Sequence, residues 1–135
     1  MCKITNHDST QHSTADPDVP QTTKAAFKAR VLAPSTFVLT EYSDIYGEQP
    51  LIYVKCFQAA GTVLILDTGC GGATADPKIG LRSLREYIET VPLAENDGKP
   101  LNEGAGMRYV VVLSHCHYDH ICAYPPHGDV VTHLC

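Results

Sequence analysis

The sequence predicts one domain of the α+β class. Four segments rich in β-forming residues are separated by turn signals, and one segment has the spacing of an amphipathic helix. The chain has 135 residues, which suits a single domain, and 44% of them are hydrophobic, which is enough for a packed core. The predicted strands are Ser35–Asp44, Leu51–Ala59, Thr62–Leu66 and Met107–Ser114.

The first two predicted strands form a hairpin. Ser35–Asp44 alternates apolar and polar residues, and Leu51–Ala59 follows after the turn "IYGEQP". The segment before them, "KAAFKARVLAP", is ambiguous and ends at Pro34. Thr62–Leu66 and the strand that ends at Ser114 are continuous apolar runs, so we expect both of them to be buried on both faces.

One helix is predicted at Leu81–Val91. Within it the apolar residues recur at the spacing that places side chains on one helix face: Leu81, Leu84, Tyr87, Ile88 and Val91. The loop that follows, "PLAENDGKPLNEGAG", is rich in Pro, Gly and Asn. The chain then enters its last apolar strand, which leads directly into a cluster of histidines.

Composition argues against several classes of partner. The formal net charge is −5 and the basic residues are scattered, so we expect no nucleic-acid partner. No apolar run is long enough to cross a membrane, so we expect no membrane partner either. Residues 1–23 are polar and carry no secretory signal, so they predict a disordered leader and a cytoplasmic location, with the six cysteines reduced.

The stretch "SHCHYDH" predicts a metal site. If the chain stays extended after Ser114, His115 and His117 point to the same side and can ligate one ion. Asp119 and His120 follow as the chain turns and can serve a neighbouring ion. Zn²⁺ accepts these nitrogen and oxygen ligands, and two such ions can share an attacking hydroxide.

H-x-H-x-D-H after an apolar strand resembles the motif of the metallo-β-lactamase superfamily, and "VLILDTGCG" is similar to that family's earlier strand and Asp-Gly turn. The resemblance implies half of an αββα sandwich over residues 24–135, truncated after its first half. It implies that His115 and His117 bind the first metal ion, and that Asp119 and His120 bind the second. Asp119 would also orient the catalytic water, and Asp67 would support the metal loop. The cofactor would be one or two Zn²⁺ ions, with iron or manganese as alternatives.

The implied function is a metal-dependent hydrolase, in which a metal-bound hydroxide attacks a small ester, thioester, lactone or lactam. The family's later ligands are missing, and His127, Asp129 and His133 follow His120 too closely to match them. We therefore expect an incomplete fragment, which can be inactive as it stands. One face of its sheet would be uncovered, which predicts self-association through exposed apolar residues.

Two alternatives remain open. Asp67-Thr68-Gly69 after an apolar strand also resembles the active-site turn of dimeric aspartic proteases, although this interpretation leaves the histidines unexplained. A non-catalytic zinc-binding fragment is the second alternative. It would use His115 and His117 with Cys116 or Cys122, because thiolates form closed, structural zinc sites.

Overall fold

The computed structural model describes residues 24–123 and the backbone of residues 130–133. The predicted disordered leader and two tail residues, His127 and Asp129, lie outside these described residues. The strands are β1 (Lys24–Ala25), β2 (Phe27–Ala33), β3 (Thr36–Glu41), β4 (Leu51–Phe57), β5 (Thr62–Leu66), β6 (Ile79–Leu81), β7 (Arg108–Leu113) and β8 (Val130–His133). The helices are α1 (Leu84–Thr90) and the single turn α2 (Tyr118–Ile121), with short 3₁₀ turns at Gln58–Ala60, Ala94–Asn96 and Glu103–Ala105.

A six-stranded mixed sheet organises the chain, in the order β2-β3-β4-β5-β7-β8. The strands from β2 to β5 pair antiparallel, whereas β5 with β7 and β7 with β8 pair parallel. The short strands β1 and β6 form a separate parallel pair. The predicted hairpin is confirmed as β3 and β4, while β2 lies in the segment whose sequence is ambiguous.

The core lies on one face of the large sheet. Alternate side chains such as Leu39, Ile52 and Val111 are fully buried there and pack with Leu84 and Ile88 of α1. Helix α1 begins after Ser83, whose hydroxyl accepts a hydrogen bond from the Glu86 amide at 3.2 Å. The predicted helix is therefore confirmed, with its first turn three residues later than the apolar spacing suggests.

The other face of the sheet is open among the described residues. Tyr53 of β4 and Leu66 of β5 are paired neighbours on this face, and they are 41% and 36% exposed. Phe57, at the far end of β4, is 44% exposed. The prediction that β5 and β7 are buried on both faces is therefore wrong. In β7 only alternate residues are buried, and in β5 Leu64 is half-buried and Leu66 is exposed.

The predicted αββα sandwich is wrong. The structure is mostly β-sheet: one mixed sheet, one two-stranded sheet and few helices. Within residues 24–123 and 130–133 there is no second large sheet facing the first. No helix in this part of the chain is both long and apolar enough to span a membrane.

Candidate functional site

Two loops meet at the carboxyl ends of β5 and β7. These neighbouring strands are parallel, so Asp67 after β5 and Ser114 after β7 emerge at the same edge of the sheet. The Asp67 amide donates to the Val112 carbonyl at 2.9 Å, which extends the pairing by one residue. The end of β5 is thereby held against the segment that carries the histidines.

Asp67 is the centre of the hydrogen bonds between the two loops. Its carboxylate accepts from the Ser114 amide at 2.7 Å and the Ser114 hydroxyl at 2.8 Å, and it contacts His120 Nδ1 at 2.9 Å. The residue is 6% exposed. Burial by itself raises the pKa of Asp67, but the hydrogen bonds from Ser114 and His120 outweigh it and leave this pKa below its ordinary value.

The structure brings the three predicted imidazoles together. The ring centroids of His115 and His117 are 4.5 Å apart, and those of His115 and His120 are 4.1 Å apart. His120 Nε2 lies 3.1 Å from Asp119 Oδ2, so the His120 ring is placed between two carboxylates. A neutral imidazole has one N–H and can therefore donate to only one of these carboxylates at a time.

The His120 backbone is also tied to the Asp67 loop. Its carbonyl accepts from the Thr68 amide at 2.7 Å and from the Thr68 hydroxyl at 3.0 Å. The amide of Cys122 donates to the Gly69 carbonyl at 3.1 Å. The two loops therefore form one unit, in which the orientation of His120 depends on the conformation of residues 67–69.

Glu41 supports this unit and was not among the residues singled out from the sequence. It is fully buried, and its carboxylate accepts from the Cys70 amide at 2.7 Å and the Gly72 amide at 2.8 Å. Burial raises the pKa of Glu41, and the two amide hydrogen bonds partly offset that rise. The sequence offered one indication of its burial. Side chains alternate along a strand, so Glu41 shares a sheet face with the apolar residues Phe37 and Leu39.

Cys70 lies inside the same loop and is 3% exposed. Burial, followed by the carboxylates of Glu41, Asp44 and Asp119, raises the pKa of its thiol to about 12. A thiol in these surroundings stays protonated at neutral pH and is a poor nucleophile. Cys70 is therefore a small buried residue of the loop and not a candidate nucleophile.

The cluster as placed does not make a metal site. Among residues 24–123 and the described backbone of β8, no group of three or more His, Cys, Asp or Glu side chains is positioned to hold a metal ion. Both nitrogens of His120 face carboxylate oxygens, and His115 Nδ1 contacts the Ser114 hydroxyl at 2.8 Å. A zinc site needs at least three protein donors around one ion, so these residues alone do not fit it.

Comparison with known proteins gives one informative match. The chain is 44% identical over 96 residues to a protein of Aspergillus versicolor named "Putative transcription factor avaE". The match covers 71% of this chain but 27% of the relative, so the chain spans about a quarter of the length of the curated relative it matches. No family model matches the chain, and no solved structure matches it.

These findings correct the assignment based on resemblance. Membership of the metallo-β-lactamase superfamily is not supported, because no family model matches and the relative is named as a transcription factor. The description of the chain as a zinc- and metal-binding hydrolase of that superfamily is wrong for the same reason. The described part of the chain also lacks a metal-binding group. The motif placed several histidines correctly near one another, but it did not identify a family.

Proposed function

We propose that the imidazole–carboxylate cluster is an acid–base site for hydrolysis of a small ester, thioester, lactone or lactam, within a longer protein. The supporting observation is the placement of His120 between Asp67 and Asp119, at 2.9 Å and 3.1 Å. A histidine oriented by one buried carboxylate and paired with a second acidic group is an arrangement that can transfer protons in general acid–base catalysis.

In this proposal Asp67 holds the ring of His120 through Nδ1, and Ser114 holds Asp67. The pair of His120 and Asp119 takes a proton from water as the water attacks the carbonyl, and returns it to the leaving group. Asp119 therefore keeps the catalytic role that the sequence predicts, as a proton carrier. Asp67 has a supporting role, and its commitment to Ser114 and His120 disfavours the aspartic-protease alternative.

Zinc stays a prediction in this scheme, and no step depends on it. His115 and His117 could supply two ligands, and further ligands would have to come from outside the described residues. An iron site, a manganese site or a non-catalytic zinc site would likewise need ligands from outside the described residues.

The test is hydrolysis of a panel of small esters, thioesters, lactones and lactams by the 135-residue chain. We expect His120→Gln and Asp119→Asn each to lower kcat/KM by about 100-fold or more. Glu95→Gln, which changes an exposed carboxylate in the Ala94–Asn96 turn, should leave kcat/KM unchanged. Equal turnover by the chain and His120→Gln would refute the proposal, and so would a lack of turnover by both this chain and the complete longer protein.

A second candidate function is nucleic-acid binding, in line with the name of the relative. It is favoured by the charge of the open sheet face. By the register of the described strands β2, β3, β4, β5 and β7, this face has no acidic residue. Its cationic residues are Lys28, Arg30, Lys55 and Arg108. This face is therefore positively charged, although the net charge of the whole chain is negative.

Under this candidate the protein would act in the nucleus, whereas the hydrolytic proposal keeps the predicted cytoplasmic location. Fluorescence anisotropy with a single-stranded oligonucleotide would test it. We expect affinity to fall with rising salt and to be lost in Lys28→Glu/Arg30→Glu, because phosphate contacts release counterions. A lack of binding at low salt would exclude this function for the chain.

A further inference from the structure

Two exposed tyrosines lie beside the imidazole cluster. The rings of Tyr46 and Tyr118 have centroids 4.9 Å apart and are tilted by 57°. They are 52% and 46% exposed, although they come from segments 72 residues apart in the sequence. Tyr118 lies between His117 and Asp119 in the chain, so this aromatic pair borders the proposed site.

The loop that carries Tyr46 is held in place by its own hydrogen bonds. The carboxylate of Asp44 accepts from the amides of Tyr46 at 3.0 Å, Glu48 at 3.1 Å and Gln49 at 2.9 Å. The amide of Ile45 donates to the Ala73 carbonyl at 2.9 Å. The loop is thereby fastened to the segment that follows the Glu41-bound turn, so Tyr46 has a defined position relative to the site.

A further hydrogen bond joins Tyr118 to the loop that carries Tyr46. The hydroxyl of Tyr118 donates to Glu48 Oε1 at 2.8 Å. This bond uses the polar end of Tyr118, so its ring face and that of Tyr46 are the parts left for contact with a ligand. Tyr118 is held through its hydroxyl and Tyr46 through its backbone, so the two half-exposed rings provide contact area with little loss of side-chain entropy on binding.

We propose that Tyr46 and Tyr118 form an aromatic substrate wall that selects acyl substrates carrying a flat aromatic group next to the reacting carbonyl. The aromatic group packs against the two rings, and the carbonyl then lies toward Asp119 and His120. Apolar walls beside a few convergent polar groups are the usual composition of small-molecule sites. This inference rests on the proposed hydrolytic function and adds to it the class of substrate.

Binding can be measured separately from turnover, with phenylacetate and acetate as non-reactive probes titrated into the 135-residue chain by NMR. We expect phenylacetate to bind about three- to tenfold more tightly than acetate, the size of an aromatic contact. Tyr46→Ala and Tyr118→Ala should reduce this preference toward one, whereas Tyr46→Phe and Tyr118→Phe should keep most of it. Phe57→Ala is the matched control, because Phe57 is 44% exposed at the opposite end of β4.

Cross-relaxation between the phenyl protons and the two tyrosine rings gives a second measurement. It uses the unchanged chain, so it does not depend on whether a variant folds. Equal affinity for the two probes would overturn the inference, and so would an unchanged preference in both alanine variants. Hydrolysis of methyl phenylacetate and methyl acetate separates the two proposals. Aromatic preference with no turnover by either this chain or the complete longer protein supports the wall and contradicts hydrolysis, whereas turnover without preference contradicts the wall alone.

Discussion

Glu41 Oε2 accepts a hydrogen bond of 2.7 Å from the backbone amide of Cys70, from a fully buried position at the end of β3. Its second oxygen accepts from the amide of Gly72. One carboxylate thus fixes the conformation of the loop whose first residue, Asp67, orients His120. The support of the site therefore extends into a strand that is distant from the motif in sequence.

Glu41→Ala should strongly destabilise the chain. The substitution leaves two buried amides without an acceptor, which costs about 2–5 kcal/mol in the free energy of unfolding. Glu41→Gln retains one acceptor oxygen and should lose less. Urea denaturation of the three chains measures the difference, and a loss below about 0.5 kcal/mol for Glu41→Ala would mean that the loop does not need this carboxylate.

The contribution of Glu41 should depend on pH. Because burial raises its pKa in the folded chain, its contribution to stability is complete below the ordinary value of 4.5 and is lost as pH rises through the folded pKa. The unfolding free energy of the unchanged chain should therefore fall relative to that of Glu41→Gln as the pH rises above 4.5. Denaturation at a series of pH values gives this difference directly.

Asp67 provides a control for the same experiment, because its contribution to stability should change with pH in the opposite direction. Its pKa is lowered in the folded chain, so its contribution is present above the ordinary value of 3.8 and is lost as pH falls through the folded pKa. The advantage of the unchanged chain over Asp67→Asn should shrink in acid, below 3.8. If both differences change with pH in the same direction, the assigned surroundings of one carboxylate are incorrect.

Gly72→Ala should prevent the loop from forming. A Cβ at this position would lie 1.9 Å from the carbonyl oxygen of Arg82, and the backbone φ is +73°. Gly61→Ala is the matched control, since φ is +54° there but no atom lies within 4 Å. We expect the control to lose about 1–2 kcal/mol from its left-handed backbone and Gly72→Ala to lose clearly more. Thermal unfolding of both variants tests this, and equal losses would contradict the close approach.

The chain alone should retain little zinc. Because no three-donor group exists among the described residues, exhaustive dialysis should leave much less than one ion per chain. Mass spectrometry of the dialysed protein measures this, with His115→Ala/His117→Ala as the background. One or two retained ions, lost in the double variant, would mean that donors outside the described residues complete a site on these imidazoles.

The open sheet face should cause self-association when no partner covers it. Tyr53 and Leu66 are adjacent across β4 and β5 and remain 41% and 36% exposed, so they form the centre of an apolar patch. Sedimentation over a range of concentrations should show association that Tyr53→Lys/Leu66→Lys reduces. Tyr46→Lys changes an exposed tyrosine in a loop outside the strands of this face and should leave the association unchanged. A concentration-independent monomer would contradict the prediction.

The sequence by itself determined the features that depend on near neighbours. Alternation located β3, enrichment in β-forming residues located β4, continuous apolar runs located β5 and β7, and 3.6-residue spacing located α1. The grouping of His115, His117 and His120 was also predictable, because six residues following one strand cannot separate far. The family resemblance implied that Asp67 supports this group, but the structure supplied the reason, because β5 and β7 are parallel and end at the same edge of the sheet.

The tertiary structure alone decided which face of each strand is buried, and which distant side chains complete the site. An apolar run does not reveal whether a second layer covers it, so β5 and β7 were expected to be buried on both faces. Glu41 contacts the Cys70 amide and Tyr46 contacts the ring of Tyr118. Both contacts join segments that are distant in sequence, so no local pattern predicts them. The short motif predicted proximity, but whether its nitrogens are free for a metal ion depends on the carboxylates that the fold places against them.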